Sequence, residues 1–182
     1  MPDLSDHLSP VQAAASRTPR AAVPRVCVVT GGTGFVGARL VEMLVERGAV
    51  RCLDIVPPPA NAWRHERIKY VTGDVCDEAT LDALVEGADC VWHNAAAVGP
   101  FHPRELYFKV NYEGSLNVVR ACRKAGVPKI VMFDGSDVDG LTEAEMPSLP
   151  QESYLQLYAE TKAMGGTWRW ASSPSRLRAA TS

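Results

Sequence analysis

Apolar residues along this chain alternate between short β-branched runs and stretches where they recur every three or four positions. Val26-Cys27-Val28-Val29-Thr30 is the first run, and an uninterrupted apolar run of this kind suits a strand buried on both faces. A glycine cluster, Gly31 to Gly37, follows. From Ala38 to Arg47 the period is helical, with Leu40, Val41, Leu44 and Val45 on one stripe and Gly48 as the stop. A second strand is expected at Val50 to Ile55, and Pro57-Pro58-Pro59 then breaks the chain. The pattern continues with a strand at Ile68 to Thr72 and a helix at Glu78 to Glu86, with Asp77 as its N-cap. It predicts a strand at Cys90 to His93, a long helix from Arg104 to Ala125 closed by Gly126, and a fifth strand at Lys129 to Phe133. A last helix is expected over Tyr154 to Ala163.

Strands alternating with helices through short links call for a parallel sheet with right-handed crossovers and helices on both faces. The fold class is therefore α/β, a doubly wound Rossmann-type parallel sheet. Residues 1–24 are rich in Ala, Pro and Ser, lack apolar periodicity and read as a flexible arm without a secretory apolar region; Asp3 and Asp6 weaken a transit-peptide reading. Residues 25–164 read as the folded domain. Residues 165–182 carry two tryptophans, four serines and three arginines with no clear period, and read as a tail.

Composition narrows the classes. With 182 residues, 46% hydrophobic and 22% charged, the chain is ordinary globular material and long enough for one domain. Nineteen basic against 21 acidic residues argue against nucleic-acid binding through bulk positive charge. No stretch approaches the roughly 20 apolar residues of a membrane span. Five cysteines without a Cys-x-x-Cys pair read as buried, reduced thiols of a cytoplasmic-type protein. The four histidines lack metal-ligand spacing, so no metal site is expected.

The strongest motif is Thr30-Gly31-Gly32-Thr33-Gly34-Phe35-Val36-Gly37, set between a strand and a helix. Gly31 allows the sharp turn, Gly34 leaves room for a pyrophosphate, and Gly37 lets the helix pack on the strand. The N–H groups of the helix start, at Phe35 and Val36, suit the phosphates. Asp54, twenty positions after Gly34, ends the second strand, where a carboxylate accepts ribose hydroxyls and repels a 2′-phosphate. The expected cofactor is NAD. Gly73-Asp74-Val75 fits the adenine side, with Asp74 open between an adenine contact and a helix cap. After the fourth strand, Asn94-Ala95-Ala96-Ala97 leaves space at the switch point, through Ala95 and Ala97 in particular. His93 reads as structural.

These motifs in this order resemble the extended short-chain dehydrogenase/reductase superfamily. Val110-Asn111-Tyr112-Glu113-Gly114-Ser115-Leu116-Asn117-Val118 is similar to its V-N-x-x-G-T-x-N-V helix, and Tyr158-Ala159-Glu160-Thr161-Lys162 to its Y-x-x-x-K. Glu105 to Tyr112 and the Y-x-E-T-K form resemble the 3β-hydroxysteroid dehydrogenase group, and within it most of all the decarboxylating sterol-4α-carboxylate 3-dehydrogenases. The likeness covers about Arg25 to Met164. It implies Tyr158 and Lys162 as the catalytic pair, with Lys162 also on the nicotinamide ribose. The chemistry agrees: four apart on a helix they share a face, and an ammonium favours the phenolate of a tyrosine that is otherwise a poor base at neutral pH. For Asn111 two readings stand, support of the site or satisfaction of local backbone. The resemblance further implies a small sterol or steroid substrate, a homodimer built through helices including the one carrying Tyr158, and work at the endoplasmic reticulum surface.

Two departures from the family pattern stand out. The serine-rich segment expected after strand five is replaced by Phe133-Asp134-Gly135-Ser136-Asp137-Val138-Asp139-Gly140. Either Gly135 takes the serine's place, or Phe133-Asp134-Gly135 matches a later F-x-G and the serine segment is missing; the second alignment fits better. Loss of such a donor costs on the order of 10²–10³ in rate. The likeness also stops near Met164-Gly165, so the substrate-binding lobe is expected to be missing and turnover weak. A tail of this composition fits a reading-frame change or an unspliced intron. Three readings follow: an NAD-dependent 3β-hydroxysteroid or sterol dehydrogenase, a non-catalytic dinucleotide-binding module, and a sugar-nucleotide epimerase relative.

Overall fold

The structure is a computed structural model, and it describes residues 23–132 and 157–171, with side chains in the last helix described through 165. The expected arm, apart from Val23 and Pro24, lies outside the described residues. So do residues 133–156, which include the departure from the serine segment, and the tail beyond Ala171.

Five strands form one parallel sheet: β1 (Val26–Thr30), β2 (Ala49–Asp54), β3 (Ile68–Thr72), β4 (Cys90–His93) and β5 (Ile130–Met132). Their order is β3-β2-β1-β4-β5. The chain therefore reverses its direction of winding between β1 and β4, and a crevice opens at their carboxyl ends. Along β1 successive side chains go to opposite faces. Val29 packs with Val41 and Val45 of helix α1 (Phe35–Val45) and with Val50 and Cys52 of β2. Val28 packs on the other face with Leu81, Leu84 and Val85 of α2 (Glu78–Val85) and with Val118 and Cys122 further along. Helices on both faces explain why β1 carries no polar alternation, and each fully buried Val or Leu contributes roughly 1.5–3 kcal/mol. The doubly wound expectation holds.

Helix α1 begins at Phe35, three residues earlier than the apolar stripe suggests, because Phe35 and Val36 are exposed and lie off that stripe. Asp77 caps α2 as expected: its carboxylate accepts from the Ala79 N–H at 3.1 Å and from the Thr80 hydroxyl at 2.6 Å. Those bonds hold its pKa below the usual carboxylate value.

The long helix is not uniform. It consists of α3 (Arg104–Tyr107), a π-helical segment (Phe108–Glu113) and α4 (Gly114–Lys124). The Gly114 N–H reaches back five residues to the Lys109 carbonyl. The wider turn buries Asn111 and leaves Leu106 and Val110 on the crevice. Gly114 sits against β3's exit loop, where a Cβ would come within 2.8 Å of Val75 Cγ2.

The last helix, α5, is Leu157–Ala171, so it runs past the expected end at Ala163 and through the Gly165-Gly166 pair. Gly165 is buried against the π-helical segment, and a Cβ there would stand 3.0 Å from the Asn111 carbonyl oxygen. Its glycine serves close helix packing rather than termination. All five cysteines are free thiols, and all but Cys76 are buried. Burial pushes Cys52 and Cys122 up to about 12, so neither is a ready nucleophile.

Candidate active site

The turn from β1 into α1 depends on glycine at several positions. Gly31 has φ of +65°, a left-handed value that favours glycine, and a Cβ there would lie 2.8 Å from the Ala95 nitrogen. At Gly37 a Cβ would lie 2.0 Å from the Gly31 carbonyl oxygen, so only glycine lets α1 start this close to the turn. Gly32 is packed as tightly, with a Cβ position 2.2 Å from Cys52 Sγ. Gly34 differs: a Cβ there would meet only the Gly31 oxygen, at 3.3 Å. That one contact is tighter than ordinary packing, but no other atom comes within 4 Å, and there a phosphate could approach the helix N-terminus.

A cleft of about 1,080 Å³ lies at the switch point. It brings together Gly31, Gly34, Phe35, Val36, Gly37, Asp54, Asp74, Val75, Ala95, Ala97, Tyr158 and Lys162. Its volume is at the upper end for small-molecule pockets, which gives room for a dinucleotide. Every residue expected from the sequence at the site lines this one space. Phe35 is 98% exposed on its rim, an unusual position for a phenylalanine.

Asp54 is held from the glycine turn. Its Oδ2 accepts from the Thr33 N–H at 3.0 Å and from the Thr33 hydroxyl at 2.6 Å. Asp74 Oδ1 accepts from the Cys76 N–H at 2.9 Å, which shapes the turn before α2. Helix capping belongs to Asp77, so Asp74 keeps a carboxylate on the cleft.

Tyr158 and Lys162 sit one turn apart on α5, Tyr158 half-buried and Lys162 only 3% exposed. Asn111 anchors that helix. Its Oδ1 accepts from the Ala97 N–H at 2.7 Å, and its Nδ2 donates to the Ala97 carbonyl at 3.1 Å and to Thr161 Oγ1 at 3.2 Å. One buried amide thereby joins the exit of β4, the π-helical segment and α5. Both readings of Asn111 meet in this geometry, because the backbone it satisfies is the wall of the cleft.

His93 is fully buried between β1 and α4. Ser115 donates its hydroxyl proton to the Asn111 carbonyl at 2.6 Å. Its oxygen must then accept from His93 Nε2–H at 3.0 Å, which leaves Nδ1 to accept from the Thr30 hydroxyl at 2.7 Å. Burial, and then the nearby Lys162 charge, push this imidazole down to about 3. A neutral ring with both nitrogens engaged inside the protein is a structural group. Sequence reasoning did not find Thr33, Ser115, Thr161 or Gly165. Ser115 lies four residues after Asn111 and Thr161 lies beside Lys162, so helical spacing carried a signal for both.

Comparison with known proteins follows the same residues. The model of the 3-beta hydroxysteroid dehydrogenase/isomerase family matches residues 28–170. The chain belongs to this family. The human sterol-4-alpha-carboxylate 3-dehydrogenase, decarboxylating, is 32% identical over 146 residues, covering 76% of this chain and 37% of that protein. The 3-beta-hydroxysteroid dehydrogenase of Mycolicibacterium neoaurum is 36% identical over 153 residues, covering 75% of this chain and 40% of that protein. Among solved structures, MoeE5 in complex with UDP-glucuronic acid and NAD matches at 25% identity with a TM-score of 0.64, over 80% of this chain and 48% of that one. The chain thus spans about two fifths of the length of the curated relatives it matches. The family match runs to residue 170 and agrees with α5 continuing past Gly165.

Among the described residues, no group of histidine, cysteine and carboxylate side chains could hold a metal ion. Nor, among them, is any helix long and apolar enough to cross a membrane.

Proposed function

We propose that this chain forms the NAD-binding and proton-transfer part of a 3β-hydroxysteroid or sterol dehydrogenase. The observation that carries the reading is the single cleft joining the glycine turn and Asp54 to Tyr158 and Lys162. The residues present fit NAD: Gly34 caps the helix N-terminus without a side chain, and Asp54 ends β2 on the cleft, where its carboxylate would accept from a ribose. Gly31, Gly34, Phe35, Val36 and Gly37 would hold the pyrophosphate, Asp54 the adenosine ribose, Asp74 and Val75 the adenine, and Ala95, Ala97 and Lys162 the nicotinamide end. When bound, the nicotinamide supplies a hydride acceptor.

The chain's own part is the proton. The phenolic oxygen of Tyr158, one helical turn from Lys162, takes the proton of a secondary 3β-hydroxyl as the alcohol becomes a ketone. Asn111 and Thr161 keep α5 against the cleft wall during this step. With a carboxylate at the adjacent carbon, the ketone is a β-keto acid and loses carbon dioxide. The relatives named for sterol carboxylates support that substrate. The reading extends, on family resemblance, to a homodimer through α5 and to the endoplasmic reticulum surface.

A sugar-nucleotide substrate is the second reading, favoured by the likeness to MoeE5 with its UDP-glucuronic acid. The test is an assay of the purified chain with NAD against a 3β-hydroxysterol, its 4-carboxylate and a UDP-sugar. Reduction of NAD with sterol alone supports the proposal. Turnover of the UDP-sugar alone replaces it with the second reading, and dinucleotide binding without turnover reduces it to a binding module.

A further inference from the structure

Among the described residues, Thr33 is the residue through which the glycine turn bonds the Asp54 carboxylate. Both of its bonds fall on the same carboxylate oxygen, Oδ2, the hydroxyl at 2.6 Å and the backbone N–H at 3.0 Å. Oδ1 takes part in neither. A hydroxyl donating to an ionised carboxylate makes a charge-assisted bond, shorter and roughly twice as strong as a neutral one. Asp54 is half-buried on the cleft, at the end of a strand whose neighbours Leu53 and Cys52 are fully buried. Its backbone is therefore fixed, and the freedom left to the carboxylate is rotation about its side-chain bonds. Two donors on one oxygen remove that rotation.

We infer that Thr33 is a positioning residue for dinucleotide selectivity: by fastening Oδ2 of Asp54 to the glycine turn, it presents the remaining carboxylate oxygen to the adenosine ribose and keeps the negative charge where a 2′-phosphate would have to sit. This rests on the NAD reading of the cleft. An unfastened Asp54 could swing toward solvent, accept fewer ribose hydrogen bonds and leave room for the extra phosphate. Selectivity in this site is then a property of the Thr33–Asp54 pair, not of the acid alone. The remaining functions of the turn do not involve the Thr33 hydroxyl, since Gly31, Gly34 and Gly37 shape the backbone.

The experiment titrates NADH and NADPH into the wild-type chain and into Thr33→Val, Thr33→Ser, Asp54→Ala and the Thr33→Val/Asp54→Ala double variant, following nicotinamide fluorescence. Valine matches threonine in shape and keeps the backbone N–H donor. In Thr33→Val the NADPH-to-NADH ratio of dissociation constants falls about tenfold, the size expected for one hydrogen bond to a charged group. Thr33→Ser keeps the wild-type ratio, and adding Thr33→Val to Asp54→Ala changes the ratio less than about twofold. A Thr33→Val ratio within twofold of wild type overturns the inference while leaving the NAD reading intact. An equal effect of Thr33→Val in the Asp54→Ala background overturns it too, because the effect would not pass through the carboxylate. A wild-type chain that fails to prefer NADH removes the NAD reading and this inference with it. Thermal melts of each variant separate loss of fold from loss of selectivity: a Thr33→Val chain that melts with wild-type cooperativity and keeps its ratio counts against the inference. If that chain does not fold, Thr33→Ala, which also retains the backbone donor, decides on the same ratio.

Discussion

Asn111 donates its side-chain amide to Thr161 Oγ1 at 3.2 Å, fastening the π-helical segment to the helix that carries Tyr158 and Lys162. The Thr161 hydroxyl in turn donates into its own helix, with the Leu157 carbonyl at 2.7 Å and the Tyr158 carbonyl at 3.1 Å. Asn111→Leu would leave the Ala97 N–H and carbonyl buried without partners. The variant is expected to lose about 2–4 kcal/mol of stability, read from urea unfolding. A loss under about 0.5 kcal/mol would show that α5 is held by packing alone.

Gly37 and Gly34 are expected to fail in different ways. Gly37→Ala forces a Cβ into the Gly31 carbonyl and should destabilise the fold by about 3 kcal/mol or more. Gly34 has φ of −72°, which alanine adopts freely, so Gly34→Ala should change stability by less than about 1 kcal/mol. It should weaken NADH binding at least about tenfold, because the methyl group occupies the phosphate's side of the turn. Equal stability losses in the two variants would mean that the openness at Gly34 has no ligand to serve.

His93 carries a pH dependence with a definite sign. Its folded pKa is about 3 and its unfolded value is 6.5, so the unfolded chain binds the proton more tightly. Its contribution is fully present above pH 6.5 and is lost as pH falls toward 3. Between pH 7 and pH 5 stability should drop by about 2 kcal/mol from this group. The depressed carboxylates Asp77 and Asp89 act only below their ordinary value of 3.8, outside that window. Ring nitrogen NMR should show one neutral His93 tautomer, protonated on Nε2, from pH 7 to pH 5. An imidazole that titrates near 6.5 in the folded chain would contradict the buried relay.

Tyr158 and Lys162 should separate chemistry from binding. Tyr158→Phe is expected to leave the NADH dissociation constant within about twofold and to lower sterol oxidation by about 10²–10⁴. Lys162→Met should raise the NADH dissociation constant and lower sterol oxidation, since its proposed role is to serve both the cofactor and the tyrosine. Undiminished oxidation in Tyr158→Phe would remove the tyrosine from the proton step.

Much of this was legible before any coordinates. The β-branched runs located all five strands to within about two residues, and the glycine spacing located the turn, because backbone shape there depends on the absence of side chains. The π-helical segment was not legible. Phe108 to Glu113 has ordinary helical composition, and the wide turn goes with bonds from Asn111 to Ala97 across the fold, which local pattern does not encode. The last helix was expected to end at Ala163, short of Gly165; the reason for that glycine is the Asn111 carbonyl, more than fifty positions away in sequence. Thr33 was visible as a letter inside the motif, yet its bond to Asp54 depends on the register of β1 against β2, which pairs Thr30 with Leu53. Local pattern located the elements, while contacts between distant elements set the polar detail of the site.

The measurement that bears most directly on the account is titration of the purified chain with NADH and, in parallel, with NADPH, followed by nicotinamide fluorescence. The account predicts saturable binding of NADH, with NADPH bound at least about tenfold more weakly because Asp54 opposes its 2′-phosphate. No binding of either dinucleotide, or equal binding of both, would contradict it.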